Sequence, residues 1–170
     1  VFRMTEKGLA GAENPSALFL GQRHAAVPGS ATTALMEGTR PLLVEVQGLA
    51  AKASFGTPQR VATGFDARRL ALLLAVLDKR AGLPFWELDV FVNVVGGLRV
   101  REPAGDLAIA VALASSVYDR ALPGDAVFFG EVGLAGEIRP VSQAERRIAE
   151  AEKMGMRSVY LAEHVVSGGA

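Results

Sequence analysis

Two runs constrain this chain more than anything else in it. Leu70-Ala-Leu-Leu-Leu-Ala-Val-Leu77 is apolar nearly all round, and Leu107 to Val117 is a second such stretch. A helix without a polar face has to be covered on more than one side, so the pattern predicts a layered domain. Asp66 stands where an N-cap belongs, and Gly82 supplies a stop signal, which predicts a helix to about Arg80. The alanines of the second run predict close packing against a neighbour. Half of the 170 residues are hydrophobic, enough for the core of one domain.

Strand patterns surround these helices. Ala31–Met36 and Leu42–Leu49 are separated by Gly38-Thr39-Arg40-Pro41, a hairpin signal. Leu88 to Val95 alternates and breaks at Gly96-Gly97. Ala126–Phe129 and Ser158–Leu161 read as short strands, and the residues around Thr57-Pro58 as a loop. Val132-Gly133-Leu134 and Glu137-Ile138-Arg139 flank Ala135-Gly136, which predicts a tight hairpin. A third helix is predicted from Ser142 to Gly155, with Ser142 and Glu145 forming a capping box. Near the start, Asn14-Pro15 predicts an N-cap and first helical residue, opening a short turn through Phe19. Helices and strands mix without strict alternation. The expected class is α/β (α+β), a mixed or mostly antiparallel sheet with packed helices.

Chemistry is excluded more readily than assigned. Lys+Arg and Asp+Glu each number 18, so bulk charge announces no polyanionic partner, although a local basic patch remains open. There is no cysteine, and His24 and His164 lie far apart, so no metal site is expected. No apolar run could span a bilayer and no signal peptide is visible; the expected location is cytoplasmic, with no membrane partner. The start on Val1 and the Gly-Gly-Ala end suggest a piece of a larger protein. Neither a phosphate-binding loop nor G-x-S-x-G occurs. Ser115 and Ser116 lie inside an apolar helix, where hydroxyls usually bond back to the preceding turn.

The segment Gly96-Gly-Leu-Arg-Val-Arg-Glu-Pro-Ala-Gly-Asp-Leu-Ala-Ile-Ala110, with Gly130-Glu131…Gly136-Glu-Ile-Arg-Pro140 and the following helix, resembles the proteolytic domain of the Lon family. That resemblance implies the Lon proteolytic fold, similar to the second domain of ribosomal protein S5. In the family a Ser after the Pro is the nucleophile, and a Lys one turn into the later helix takes its proton. Here Ala104 and Glu145 stand at those positions. A methyl group cannot attack a carbonyl, so the resemblance implies no catalytic residue and no enzyme in this chain. A peptidase with a relocated nucleophile would have to use Ser115, Ser116 or Ser142.

Longer motifs resemble the RadA/Sms family of bacterial recombination proteins. They are Val1-Phe-Arg-Met…Asn14-Pro-Ser-Ala-Leu-Phe-Leu20…Glu37-Gly-Thr-Arg-Pro41, Leu88-Asp-Val-Phe-Val-Asn-Val-Val-Gly-Gly-Leu-Arg99 and Gly130-Glu-Val-Gly-Leu-Ala-Gly-Glu-Ile-Arg-Pro-Val141. The resemblance runs through about His164. It implies a parent protein with a zinc finger and a RecA-like ATPase, so ATP, Mg and Zn are expected there and no cofactor here. It implies a hexameric ring that moves on single-stranded or branched DNA during homologous recombination, with a recombinase as a further candidate partner. Residues 1–30 become a linker or arm, 31–166 the Lon-protease-like domain and 167–170 a flexible tail. The domain's implied role is assembly scaffold and DNA surface; a pure assembly module is the alternative.

The residues for DNA contact are then cationic. Arg40, Arg99 and Arg139 sit beside Pro or Gly at turns or strand ends, where a guanidinium is held for paired hydrogen bonds to phosphate. Lys52 and Arg60 follow, because no acidic residue occurs from Val46 to Phe65. Arg101 is expected to pair with Glu102. Arg68-Arg69, Lys79-Arg80 and Arg146-Arg147 read as solvated helix faces, and Phe85-Trp86 as core or subunit interface.

Overall fold

The computed structural model describes residues 2–11, 13–20 and 26–162; His24, His164 and the tail 167–170 lie outside them. A two-stranded hairpin comes first, β1 (Phe2–Thr5) with β2 (Gly8–Gly11), then a single helical turn, α1 (Ser16–Phe19). Six strands form the main sheet: β3 (Ser30–Glu37), β4 (Arg40–Lys52), β5 (Arg60–Thr63), β6 (Leu88–Val94), β7 (Ala126–Phe128) and β10 (Ser158–Tyr160). Their order is β10-β7-β3-β4-β6-β5. β4 pairs antiparallel with β3 and with β6, whereas the β3–β7, β7–β10 and β5–β6 pairs are parallel. A small hairpin, β8 (Glu131–Val132) with β9 (Ile138–Arg139), stands apart. The architecture is mixed α/β, with a six-stranded mixed sheet and helices on both faces.

Alternation along the strands explains the layers. Leu42, Val44 and Val46 of β4 point with Ala126 and Phe128 towards helices α2 (Ala67–Ala81) and α3 (Asp106–Tyr118). Leu43, Ala34 and Val127 point the other way, against Ala151 of α4 (Ala144–Lys153) and Met156. The near-continuous apolar character of β4 follows from burial on both faces.

Helix α2 differs from its sequence reading. It buries Leu70, Leu73, Leu74 and Val76, but Leu72 is 49% exposed, so it is covered on one side only. Its ends are as predicted: the Asp66 carboxylate accepts from Arg69 N–H at 2.9 Å, and Gly82 closes it in the left-handed region. Helix α3 is the enclosed one, and its small residues matter. A Cβ on Gly48 of β4 would lie 2.9 Å from Leu113 Cδ2, so strand and helix approach more closely than any other residue allows.

Two further expectations are corrected. The capping box does not form: α4 begins at Ala144, after a left-handed Gln143 (φ 61), with no side-chain cap, and Glu145 is exposed. The Ser142 carbonyl is instead taken by the Arg147 side chain. Asn14 provides no side-chain cap to α1. Thr57-Pro58 lie in a loop as read, between β4, which extends to Lys52, and the short strand β5 from Arg60. Part of the first thirty residues packs firmly on the domain. Ser16 is wholly buried; its hydroxyl donates to Glu150 Oε1 and accepts from Leu43 N–H.

Candidate nucleic-acid interface

The loop after β6 carries exposed charge on a backbone held in place by its neighbours. Gly96 and Gly97 are both left-handed, and a Cβ on Gly96 would meet the Phe19 ring at 2.7 Å. Beyond them the chain runs Arg99-Val100-Arg101 with an exposed, buried, exposed alternation. Val100 is 8% exposed and donates its N–H to the Gly64 carbonyl at 2.8 Å. Anchoring the middle residue throws both guanidinium groups outward.

Glu102 then turns inward. Its carboxylate takes a bidentate ion pair from Arg147, Nη1 to Oε1 at 2.8 Å and Nη2 to Oε2 at 2.6 Å. It also accepts the Met36 N–H at 2.7 Å. Arg147 is fully buried, donates further to the Ala34 and Ser142 carbonyls, and lies over the Phe129 ring. Two sequence expectations change here. Arg147 is not a solvated helix residue, and Arg101 does not own Glu102. The helical period had the signal for Arg147, since it falls in the inward stripe Ala144, Arg147, Ile148, Ala151.

Arg99 and Arg101 line a cleft of about 600 Å³ together with Gly64, Phe65, Asp66 and Arg69. The third arginine is spoken for: Arg69 forms a bidentate pair with the wholly buried Asp106 and reaches Glu131 at 3.8 Å. Burial pushes the Asp106 carboxyl above the usual carboxylate range, against the pull of Arg69 and of the Val132 N–H. The bond to Asp106 holds the Arg69 guanidinium more firmly protonated. Among the described residues no ion pair engages Arg99 or Arg101.

The five cations singled out from the sequence do not form one patch. Arg40 is exposed at the tip of the β3–β4 hairpin, where Arg146 donates to the Thr39 carbonyl. A pocket lined by Glu37, Arg99 and Arg101 puts the arginine loop at this same end. Lys52 lies at the other end of β4, 12 residues on, or about 40 Å of extended strand away. Arg60 belongs to that far end too, and its guanidinium is occupied by the Gln59, Leu88 and Phe85 carbonyls. Arg139 sits in β9 and pairs with Glu137 at 2.9 Å.

Ala104, where the Lon resemblance implies a nucleophile in that family, is fully buried, and its carbonyl accepts from Gly130 N–H. The Ser115 hydroxyl accepts from Gly29 N–H and donates to the Arg120 carbonyl; that of Ser116 accepts from Ala50 N–H. Among the described residues no cluster of metal-binding side chains occurs, and no helix is long and apolar enough to cross a membrane.

The model of the family described as subunit ChlI of Mg-chelatase matches residues 46–164, and the chain belongs to that family. Within reach of it are proteins called DNA repair protein RadA. That of Brucella abortus is 53% identical over 157 residues, 92% of this chain. That of Escherichia coli is 54% identical over the same length, and that of Halalkalibacterium halodurans 47% identical over 168 residues, 99% of this chain. The chain spans only about a third of their length, 34%, 34% and 37% respectively.

Proposed function

We propose that this chain is the Lon-like domain of a DNA repair protein of the RadA type, without peptidase activity, and that it presents a phosphate-binding surface to single-stranded or branched DNA. The observation that carries this reading is the Arg99-Val100-Arg101 loop. Two guanidinium groups with no ion pair among the described residues stand over a cleft, on a backbone fixed by Val100 and by the Glu102–Arg147 pair. Phosphate contacts need cations held at a set spacing and no base-specific chemistry. Arg40 and Arg146 at the neighbouring hairpin tip extend the surface, while Arg139 and Arg60 serve mainly to brace their own hairpin and strand.

The absence of peptidase chemistry is supported by the buried methyl of Ala104 and by an exposed Glu145. Of the serines available for a relocated nucleophile, Ser115 and Ser116 have hydroxyls bonded to backbone groups. Assembly into a ring, probed by light scattering, and ATP hydrolysis by the remainder of the longer relatives complete the reading.

Its test is the double variant Arg99→Ala, Arg101→Ala, titrated with an oligodeoxythymidine across a salt series. Each phosphate contact on a single strand contributes about 0.7 to the salt slope, so losing both flattens it by about 1.4. An unchanged affinity and slope refute the site. Loss of the ring with the slope intact makes the loop an assembly contact, the one serious alternative.

A further inference from the structure

The far end of the sheet carries a second surface of different chemistry. Phe55 is 95% exposed and Trp86, the single tryptophan, is 68% exposed. Each is an expensive side chain to leave in water, and both sit at the end of the β4–β6 pair, where Lys52 lies opposite Leu88. Phe55 stands two residues beyond Ala53, whose N–H donates to the Glu87 carbonyl, and Trp86 immediately precedes Glu87. The loop that carries Phe55 is pinned at its return as well. Gln59 N–H donates to Asp89 Oδ1 at 2.7 Å, and the Arg60 guanidinium holds the Leu88 and Phe85 carbonyls on either side of the turn containing Trp86.

We infer that Phe55 and Trp86 form a stacking platform for the unpaired bases of single-stranded DNA, with Lys52 facing the backbone and the charge of Arg60 adding to the field from its braced position. The inference rests on the DNA-binding reading above and adds to it a site that recognises bases by their π-faces. Three features favour this occupant. Exposed aromatics beside cations are the arrangement that single strands use, because every base has a face to stack. The charge of Arg60 meets carbonyls and no carboxylate, so it remains available at longer range. From Val46 to Phe65 no acidic side chain opposes a polyanion; the carboxylates across the turn are Glu87 and Asp89, and Asp89 is turned towards the Gln59 N–H. The two surfaces lie at opposite ends of β4, so one strand could be gripped by phosphate at one end and by base at the other.

Trp86 provides its own probe. Titrating the 170-residue chain with a twelve-nucleotide oligodeoxythymidine at low salt should quench its fluorescence saturably, and an abasic oligomer of equal length should not. Phe55→Ala, a change at a side chain that packs on nothing, should weaken binding by about 5- to 150-fold, the range of one lost base stack. Glu87→Gln should tighten it. If Phe55→Ala leaves affinity unchanged while Arg99→Ala, Arg101→Ala weakens it, the platform is refuted and the phosphate surface stands. If Phe55→Ala instead lowers self-association, measured by light scattering, the surface joins copies of the protein and the inference is overturned. If no oligomer binds at all, both readings fall together.

Discussion

Arg147 is the residue whose removal tests the physical account most severely. Replacing it with Met keeps most of the volume and deletes four hydrogen bonds, two to Glu102 and one each to the Ala34 and Ser142 carbonyls. The Ala34 carbonyl is left in a closed interior, at about 1–3 kcal/mol for an unmet buried acceptor. Glu102 keeps a quarter of its side chain in water and its bond from Met36 N–H, which limits its loss. Breaking a buried pair from one side costs about 3–5 kcal/mol in total, a large share of a domain's usual stability. At this size about 2–4 °C of Tm goes with each kcal/mol, so thermal unfolding should shift down by about 6–20 °C. Glu102→Leu should cost at least as much, since it strands a guanidinium with no exposure at all. Both changes together should cost less than either alone, because no uncompensated charge remains. Denaturant unfolding of the four proteins measures the cycle. A single variant within about 1 kcal/mol of the parent, or costs that simply add, would refute the argument that the pair is a closed interior unit.

Removing the Asp66 cap with Ala should cost about 1 kcal/mol, read as a fall in denaturant midpoint without a change in m; no fall means that the Arg69 N–H is satisfied otherwise. Gly48→Ala should destabilise by about 1–3 kcal/mol through the forced displacement of Leu113, and a neutral result in chemical unfolding would show that α3 can slide away. Asp106 binds its proton more readily folded than unfolded. Its titration therefore contributes most to stability below the ordinary carboxylate value, and that contribution declines as pH rises through the raised folded value. Asp106→Asn should flatten that stretch of the stability–pH curve, and an identical slope in the variant would refute the direction assigned.

What the sequence discloses here follows burial. The helices α2 and α3 and the β3–β4 hairpin were legible because their apolar periods are long; that β4 is buried on both faces and α2 on one was not. β5 was not, being four residues on a sheet edge beside Thr57-Pro58, with Val61 45% exposed. The start of α4 misled because a side chain competes for it: Arg147 draws in the Ser142 carbonyl, and Gln143 turns left-handed, so Ser142 leaves the capping position. At the candidate interface the flanking Arg99 was visible as a motif residue. The freedom of Arg101 was not, because it depends on a partner 45 residues distant in sequence taking Glu102 away. Adjacent charges say little about pairing when one of them faces the core.

The pairing of β4 also bears on how the chain reaches this state. Its first half closes with β3 through a two-residue turn, Gly38-Thr39, a local step. Its second half must wait for β6, whose Leu88 meets Lys52 across 36 residues, and β7 and β10 join later still in parallel. Val46 belongs to both ladders, facing Ala31 on one side and Val94 on the other. Loop closure of that length is slow relative to a hairpin. During synthesis the β3–β4 ribbon therefore emerges with one long edge unpaired, and its protection from neighbouring ribbons lasts only as long as the wait for β6 is short.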